Sequence, residues 1–167
     1  MVDKEVNKRY DPIYAVLKGD AQALAVVVGS PEFSNISGRV RFYQTNAGVL
    51  VYAEIMGLPS ESGKCADRVF GFHIHEGGRC GGRARDWFAD TRSHYNPGSC
   101  GHPFHAGDLP PLFGNNGFAF CVVLTNRFAV KDIIGGTVVI HDKPDDFTTQ
   151  PSGGSGVKIA CGEIKRA

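Results

Sequence analysis

Residues 71–76 read G-F-H-I-H-E, and the segment they open closes with H-Y-N-P-G-S-C-G-H-P-F-H-A-G-D-L at 94–109. It holds five of the six histidines, His73, His75, His94, His102 and His105; the sixth, His141, follows in T-V-V-I-H-D-K-P-D-D at 137–146. His73 and His75 are two apart on a predicted strand. They therefore share one face, about 6–7 Å apart along the chain. An isolated H-x-H is more often a pair of exposed strand side chains than a metal site. Four further histidines and Asp108 turn the reading toward metal ligation.

Working outward, the flanks read as short strands. Residues 23–29 (A-L-A-V-V-V-G) form one, ended by Gly29-Ser30-Pro31. In 36–45, Val40, Phe42 and Gln44 alternate against Arg39, Arg41 and Tyr43, the pattern of a half-buried strand. Asn46-Ala47-Gly48 is a hairpin turn leading into 49–56. A strand over 69–76 carries the first two histidines, and further strands are predicted at 117–124, 136–141 and 157–164. Between them, 77–93, 95–112 and 142–156 are irregular and punctuated by Gly and Pro. Trp87 and Phe88 are the large apolar anchors of the first of these. Loops this long are uncommon in compact domains unless functional, and the longest flank histidines. Roughly eight short strands without a long helix predict an all-β sandwich or barrel.

With 167 residues, one domain and a sizeable core are expected. Residues 1–20 read as an N-terminal extension and 21–167 as the domain. A net charge of +1 gives no electrostatic case for nucleic acid or an anionic membrane. No apolar run approaches the roughly 18–20 residues of a membrane span. The charged start, Met1 to Asp11, is not a secretory signal. That implies cytoplasm if Met1 is the native start, and an extracytoplasmic site if a signal has been removed. Five cysteines leave at least one unpaired within the chain, which is not the framework of a small disulfide scaffold.

The ligand chemistry divides into two groups. His102, His105 and Asp108 recur every third residue through a Pro/Gly loop. Two imidazoles and a carboxylate are good zinc ligands, and tetrahedral zinc wants a fourth, for which His94 is the natural candidate. His73, His75 and His141 remain, and three or four imidazoles suit copper. Six histidines and one aspartate cannot give four separate ligands to each of two ions. A bridging imidazolate resolves the arithmetic, and His94, between the groups in sequence, is the bridge.

Taken together, G-F-H-I-H-E at 71–76, H-Y-N-P at 94–97, H-A-G-D-L at 105–109, V-V-I-H-D-K-P-D-D at 138–146 and K-I-A-C-G-E-I at 158–164 resemble the copper/zinc superoxide dismutase family. The resemblance spans roughly residues 22–166, and H-E-G-G-R-C and G-D-L-P-P-L are similar to its bacterial branch. It implies a Greek-key β-sandwich or flattened barrel with long metal-site loops. It also implies copper on His73, His75, His94 and His141, and zinc on His94, His102, His105 and Asp108. Asp145 matches the aspartate that hydrogen-bonds one histidine from each site. Cys80 and Cys161 match the family disulfide, which in the chain-entropy model stabilises by roughly 4 kcal/mol. The implied reaction, an oxidoreductase activity, converts superoxide to oxygen and hydrogen peroxide as copper is alternately reduced and oxidised. His94 and Lys158 are the implied catalytic positions, and a homodimer is one of the assemblies the resemblance allows.

Some positions depart from the family. Lys158 stands where the anion-guiding arginine is expected, keeping the charge but losing the planar fork; reduced activity is the expectation. The zinc loop is short, and Pro144 sits between His141 and Asp145. Cys65, Cys100 and Cys121 match nothing in the family: Cys121 reads as a core residue, and Cys100 as an inert thiol, a partner of Cys65 or a competitor for metal. The main alternative function is a non-catalytic metal-binding or structural module of the same family, which typically lacks copper ligands or the zinc loop. A copper-only enzyme would lack His102, His105 and Asp108, and a plain immunoglobulin-like sandwich would not need these six histidines.

Overall fold

The structure, a computed structural model, describes residues 13–63 and 67–167. Among these residues are the strands β1 (Ala23–Gly29), β2 (Ser37–Thr45), β3 (Gly48–Met56), β4 (Val69–Phe70), β5 (Phe72–His75), β6 (Leu112–Phe113), β7 (Ala119–Thr125), β8 (Thr137–His141) and β9 (Lys158–Arg166). Two short helices, α1 (Ile13–Lys18) and α2 (Val130–Ile133), flank them. Seven strands form one curled antiparallel sheet in the order β5-β8-β9-β1-β2-β3-β7, and β4 pairs with β6 apart from it. This is the all-β, Greek-key flattened-barrel class implied by the sequence.

Side-chain alternation explains the core. In β1, Ala23, Ala25 and Val27 are buried, while Val26 and Val28 face solvent, as the two-residue period of a strand requires. Val40 and Phe42 of β2, and Val49, Val51, Ala53 and Ile55 of β3, join the same cluster. Phe72 and Ile74 of β5, with Val138 and Ile140 of β8, complete it toward the histidine end. A smaller cluster on the other face of β8 and β9 joins Val139 and Cys161 to Phe88, with Cys80 and Trp87 against it. Phe88 and Trp87 thus anchor the first long loop, as their apolar surface in a Gly/Arg-rich segment indicates.

Several sequence expectations change in detail. The single strand expected over 69–76 is two pieces, β4 and β5, in different sheets. Gly71 divides them because its N–H donates to Lys143 O (2.7 Å) and its carbonyl accepts from His141 N–H (2.9 Å), redirecting the pairing. Thr45 pairs with Gly48, so the first hairpin turns on Asn46-Ala47 alone. β7 begins at Ala119, two residues later than expected, because Asn116 and Gly117 take positive φ and Asn115 exchanges both backbone hydrogen bonds with Phe118. That is a two-residue turn of the Asn-Gly kind. Gln44, placed with Val40 and Phe42, is instead exposed, its Oε1 accepting from Val130 N–H at the strand end. Tyr43 is buried with its cross-strand partner Leu50. Cys121 packs half-buried against the core, where burial raises its thiol pKa. Cys100 is exposed, and its suggested partner Cys65 lies outside the described residues.

Candidate metal centre

Strand alternation that puts Phe72 and Ile74 in the core turns His73 and His75 to the opposite face, where the long loops bury both. β8 pairs with β5 through His73–Val139 and His75–Thr137, and delivers His141 at its end. The other edge of β5 is taken by the ligand loop. Ile74 N–H donates to Gly107 O, Tyr95 N–H donates to Ile74 O, and Gly107 N–H donates to Tyr95 O, each at 2.8 Å. This zip sets His94 opposite His75 and Asp108 opposite His73. A Cβ on residue 107 would lie 2.2 Å from Ile74 O, so only glycine permits the approach.

Two buried groups result. One ligand atom each from His73, His75, His94 and His141 lies within 4.8 Å of the others, and the same holds for His94, His102, His105 and Asp108. His94 belongs to both. Its Nδ1 lies 2.7 Å from Asp108 Oδ1 and 3.4 Å from His105 Nδ1, while its Nε2 is buried without a partner. The structure thus brings together every histidine and the aspartate singled out from the sequence.

The outer ring nitrogens fix which atoms face inward. His73 Nε2–H donates to Asp145 Oδ2 (2.7 Å) and His102 Nε2–H to Asp145 Oδ1 (2.9 Å). An ionised carboxylate only accepts, so both protons sit on Nε2, and the inward Nδ1 atoms carry lone pairs. Those two Nδ1 atoms are buried and make no hydrogen bond, although His102 Nδ1 is 3.1 Å from Asp108 Oδ2. His75 Nδ1–H donates to Arg92 O (2.9 Å), so its Nε2 lone pair faces His141 Nε2 at 3.4 Å. Converging buried lone pairs without donors are unfavourable unless a cation sits among them. The donor set therefore fits one nitrogen-rich site and one site of three imidazoles and a carboxylate, the preferences of copper and zinc.

Electrostatics keep the ligands in their binding forms. Burial pushes the pKa of His73, His75 and His141 down, assisted by neighbouring imidazoles and, for His141, by Lys158; His141 falls to about 3. All three are neutral at pH 7, the form that binds metal. Burial raises the Asp108 carboxyl, but the hydrogen bond and charge of His94, with His102 and His105, outweigh it and hold it below the ordinary range. Asp145 behaves likewise: burial opposes ionisation, and hydrogen bonds from His73, Phe147 N–H and His102 prevail.

The comparisons with known proteins agree with this geometry. The family model described as copper/zinc superoxide dismutase (SODC) matches residues 36–164. The chain is 31% identical to Cu-Zn superoxide dismutase 2 of Aquifex aeolicus (strain VF5) over 92% of each chain. It is 36% identical to the Cu-Zn superoxide dismutase of Legionella pneumophila over 77% of each. Against the enzyme of that name from Photobacterium leiognathi it is 31% identical, over 87% of this chain and 88% of the relative.

The chain belongs to the copper/zinc superoxide dismutase family.

Other family positions fall into place around the two groups. Cys80 and Cys161 are joined in a disulfide across a sequence separation of 81. It ties the first long loop, and with it Arg92, to β9. Lys158, opposite His141 in the β8–β9 pairing, donates from Nζ to Phe88 O (3.0 Å) and to Asp86 Oδ2 (3.2 Å). Two residues that sequence reasoning missed also hold this superoxide dismutase fold's ligand loop. Gln150 clamps the backbone of His102, accepting from its N–H (3.0 Å) and donating to its carbonyl (2.7 Å). Arg127 reaches three carbonyls of the same loop. Neither lies in a recognisable motif; the only signal was an amide and a guanidinium in segments the topology brings to the loop.

Proposed function

We propose that this chain is a superoxide dismutase holding copper on His73, His75, His94 and His141 and zinc on His94, His102, His105 and Asp108. The observation that carries the proposal is the sharing of His94 by two otherwise complete ligand groups. Bound copper supplies one-electron chemistry, in which one superoxide is oxidised to oxygen and the next, taking protons, is reduced to hydrogen peroxide.

The chain's own residues organise that chemistry. His94 presents Nε2, which has no protein partner, toward the copper group, while Asp108 engages Nδ1 on the far side. Nε2 could therefore carry a proton to the reduced product while the zinc that His94 and Asp108 would hold keeps the ring in place. Asp145 orients one imidazole of each group at once, and such outer contacts fix tautomer and ring direction. Lys158 adds positive charge on the strand beside His141, and positive charge at the mouth of a site raises the encounter rate of a small anion.

Metal analysis by plasma mass spectrometry after loading with copper and zinc, with an assay of superoxide-dependent cytochrome c reduction on the same sample, tests the proposal. One copper and one zinc per chain are expected, with inhibition of that reduction which cyanide abolishes. Zinc alone, without activity, would mean that the His73, His75 and His141 group is not a working copper site. Lys158→Arg is expected to raise activity, since a guanidinium can keep the bonds to Phe88 O and Asp86 and still offer N–H groups to the anion. An unchanged rate and salt dependence would remove the guiding role from this position.

A further inference from the structure

We infer that Arg127 is a positioning residue for zinc, setting the His105–Asp108 corner from outside the ligand set; this rests on the zinc assignment proposed above. Arg127 lies just past β7, its backbone N–H donating to Thr125 Oγ1 (3.2 Å). Its Nη1 donates to Pro103 O (3.1 Å), His105 O (3.2 Å) and Asp108 O (3.2 Å). Two of these carbonyls belong to zinc ligands, and the third belongs to the residue after His102. Three carbonyl dipoles turned toward one point repel one another, and a permanently charged guanidinium makes their convergence favourable.

The remaining supports of the loop lie elsewhere. The bonds to Ile74 and Tyr95 hold its β5 side, and Gln150 holds His102. The corner itself closes locally, with His105 N–H donating to Asp108 Oδ2 (3.0 Å) and Asp108 N–H to His105 O (3.2 Å). Arg127 alone, among the described side chains, donates to both ligand carbonyls of that corner.

Charge and position predict opposite outcomes here. A cation beside a site for a dication weakens metal binding through Coulomb repulsion. Were charge the main contribution, Arg127→Met would tighten zinc. Were the clamp the main contribution, the same substitution would loosen it, and outer contacts of this kind are typically worth about 10–100-fold in metal affinity.

The experiment measures zinc affinity of the full chain by competition with a chromophoric chelator, for the parent, Arg127→Met and His105→Ala. It is accompanied by the visible spectrum with Co(II) in the zinc site and by melting of the metal-free protein. Arg127→Met is expected to bind zinc about tenfold more weakly, to alter the Co(II) bands, and to melt close to the parent when metal-free. Zinc affinity equal to or tighter than the parent's overturns the inference. A lowered metal-free melting temperature with unchanged affinity also overturns it, since Arg127 would then serve stability alone. If the parent binds no zinc, or His105→Ala leaves its affinity unchanged, the zinc assignment itself falls and this inference with it.

Discussion

An Asp145→Ala variant is expected to hold zinc roughly 10- to 100-fold more weakly than the parent, and its copper group to loosen with it. The reason is that one buried carboxylate accepts from both His73 Nε2–H and His102 Nε2–H. Alanine leaves two buried N–H donors without acceptors, at a cost of about 1–3 kcal/mol each, and both rings lose the contact that fixes their direction. Asp145→Asn separates geometry from charge. Its amide oxygen can accept from one ring, but its NH₂ group faces the other ring's N–H, donor against donor. One site should therefore suffer more than the other. Chelator competition for each metal checks this, and parent-like affinities in Asp145→Ala would show that the bridge is dispensable.

The second large effect concerns the disulfide. With Cys80 and Cys161 both replaced by alanine, the metal-free protein is expected to lose about 4 kcal/mol of stability, from the chain-entropy dependence on loop size and a separation of 81 residues. Denaturant unfolding followed by circular dichroism measures it. A loss under about 1 kcal/mol would mean that the loop stays restrained without the bond, through Phe88 and Trp87 packing alone. The effect also reaches the site. Arg92 O, which orients His75, lies in the segment that the disulfide ties down, so copper retention should fall together with stability.

Most of the convergent side-chain cluster is legible in the chain because ligand chemistry is a matter of residue type and spacing. The H-x-H at 73 and 75 needs only the period of a strand to converge, and the loop after His94 needs only enough Gly and Pro to fold back. The all-β class is legible in roughly eight short apolar stretches broken by Gly and Pro without a long helix, although the alternation expected in β2 fails at its end, where Tyr43 is buried and Gln44 exposed. What escaped was decided by contacts between distant segments. Nothing near Gly71 announces that its backbone pairs with Lys143 and His141 rather than continuing β4 into β5. Asn116-Gly117 carries a local turn signal, but the apolar run after Gly117 dominates the pattern and extends the expected strand back to that glycine. Arg127 and Gln150 act on backbone carbonyls and an N–H, which have no sequence identity for a pattern to recognise.

β5 is one of the two terminal strands of the seven-stranded sheet. A terminal strand ordinarily presents unpaired N–H and C=O groups that can template another chain. Here the N–H and carbonyl of Ile74 are already taken by Gly107 and Tyr95, and Glu76 N–H by Ser93 O. The segment that carries the ligands is thus also the cap on an otherwise adhesive end of the sheet. Whatever pins that segment, whether Asp145, the disulfide or the metals proposed above, also keeps this edge covered, and its loss would uncover a strand edge able to recruit a second copy.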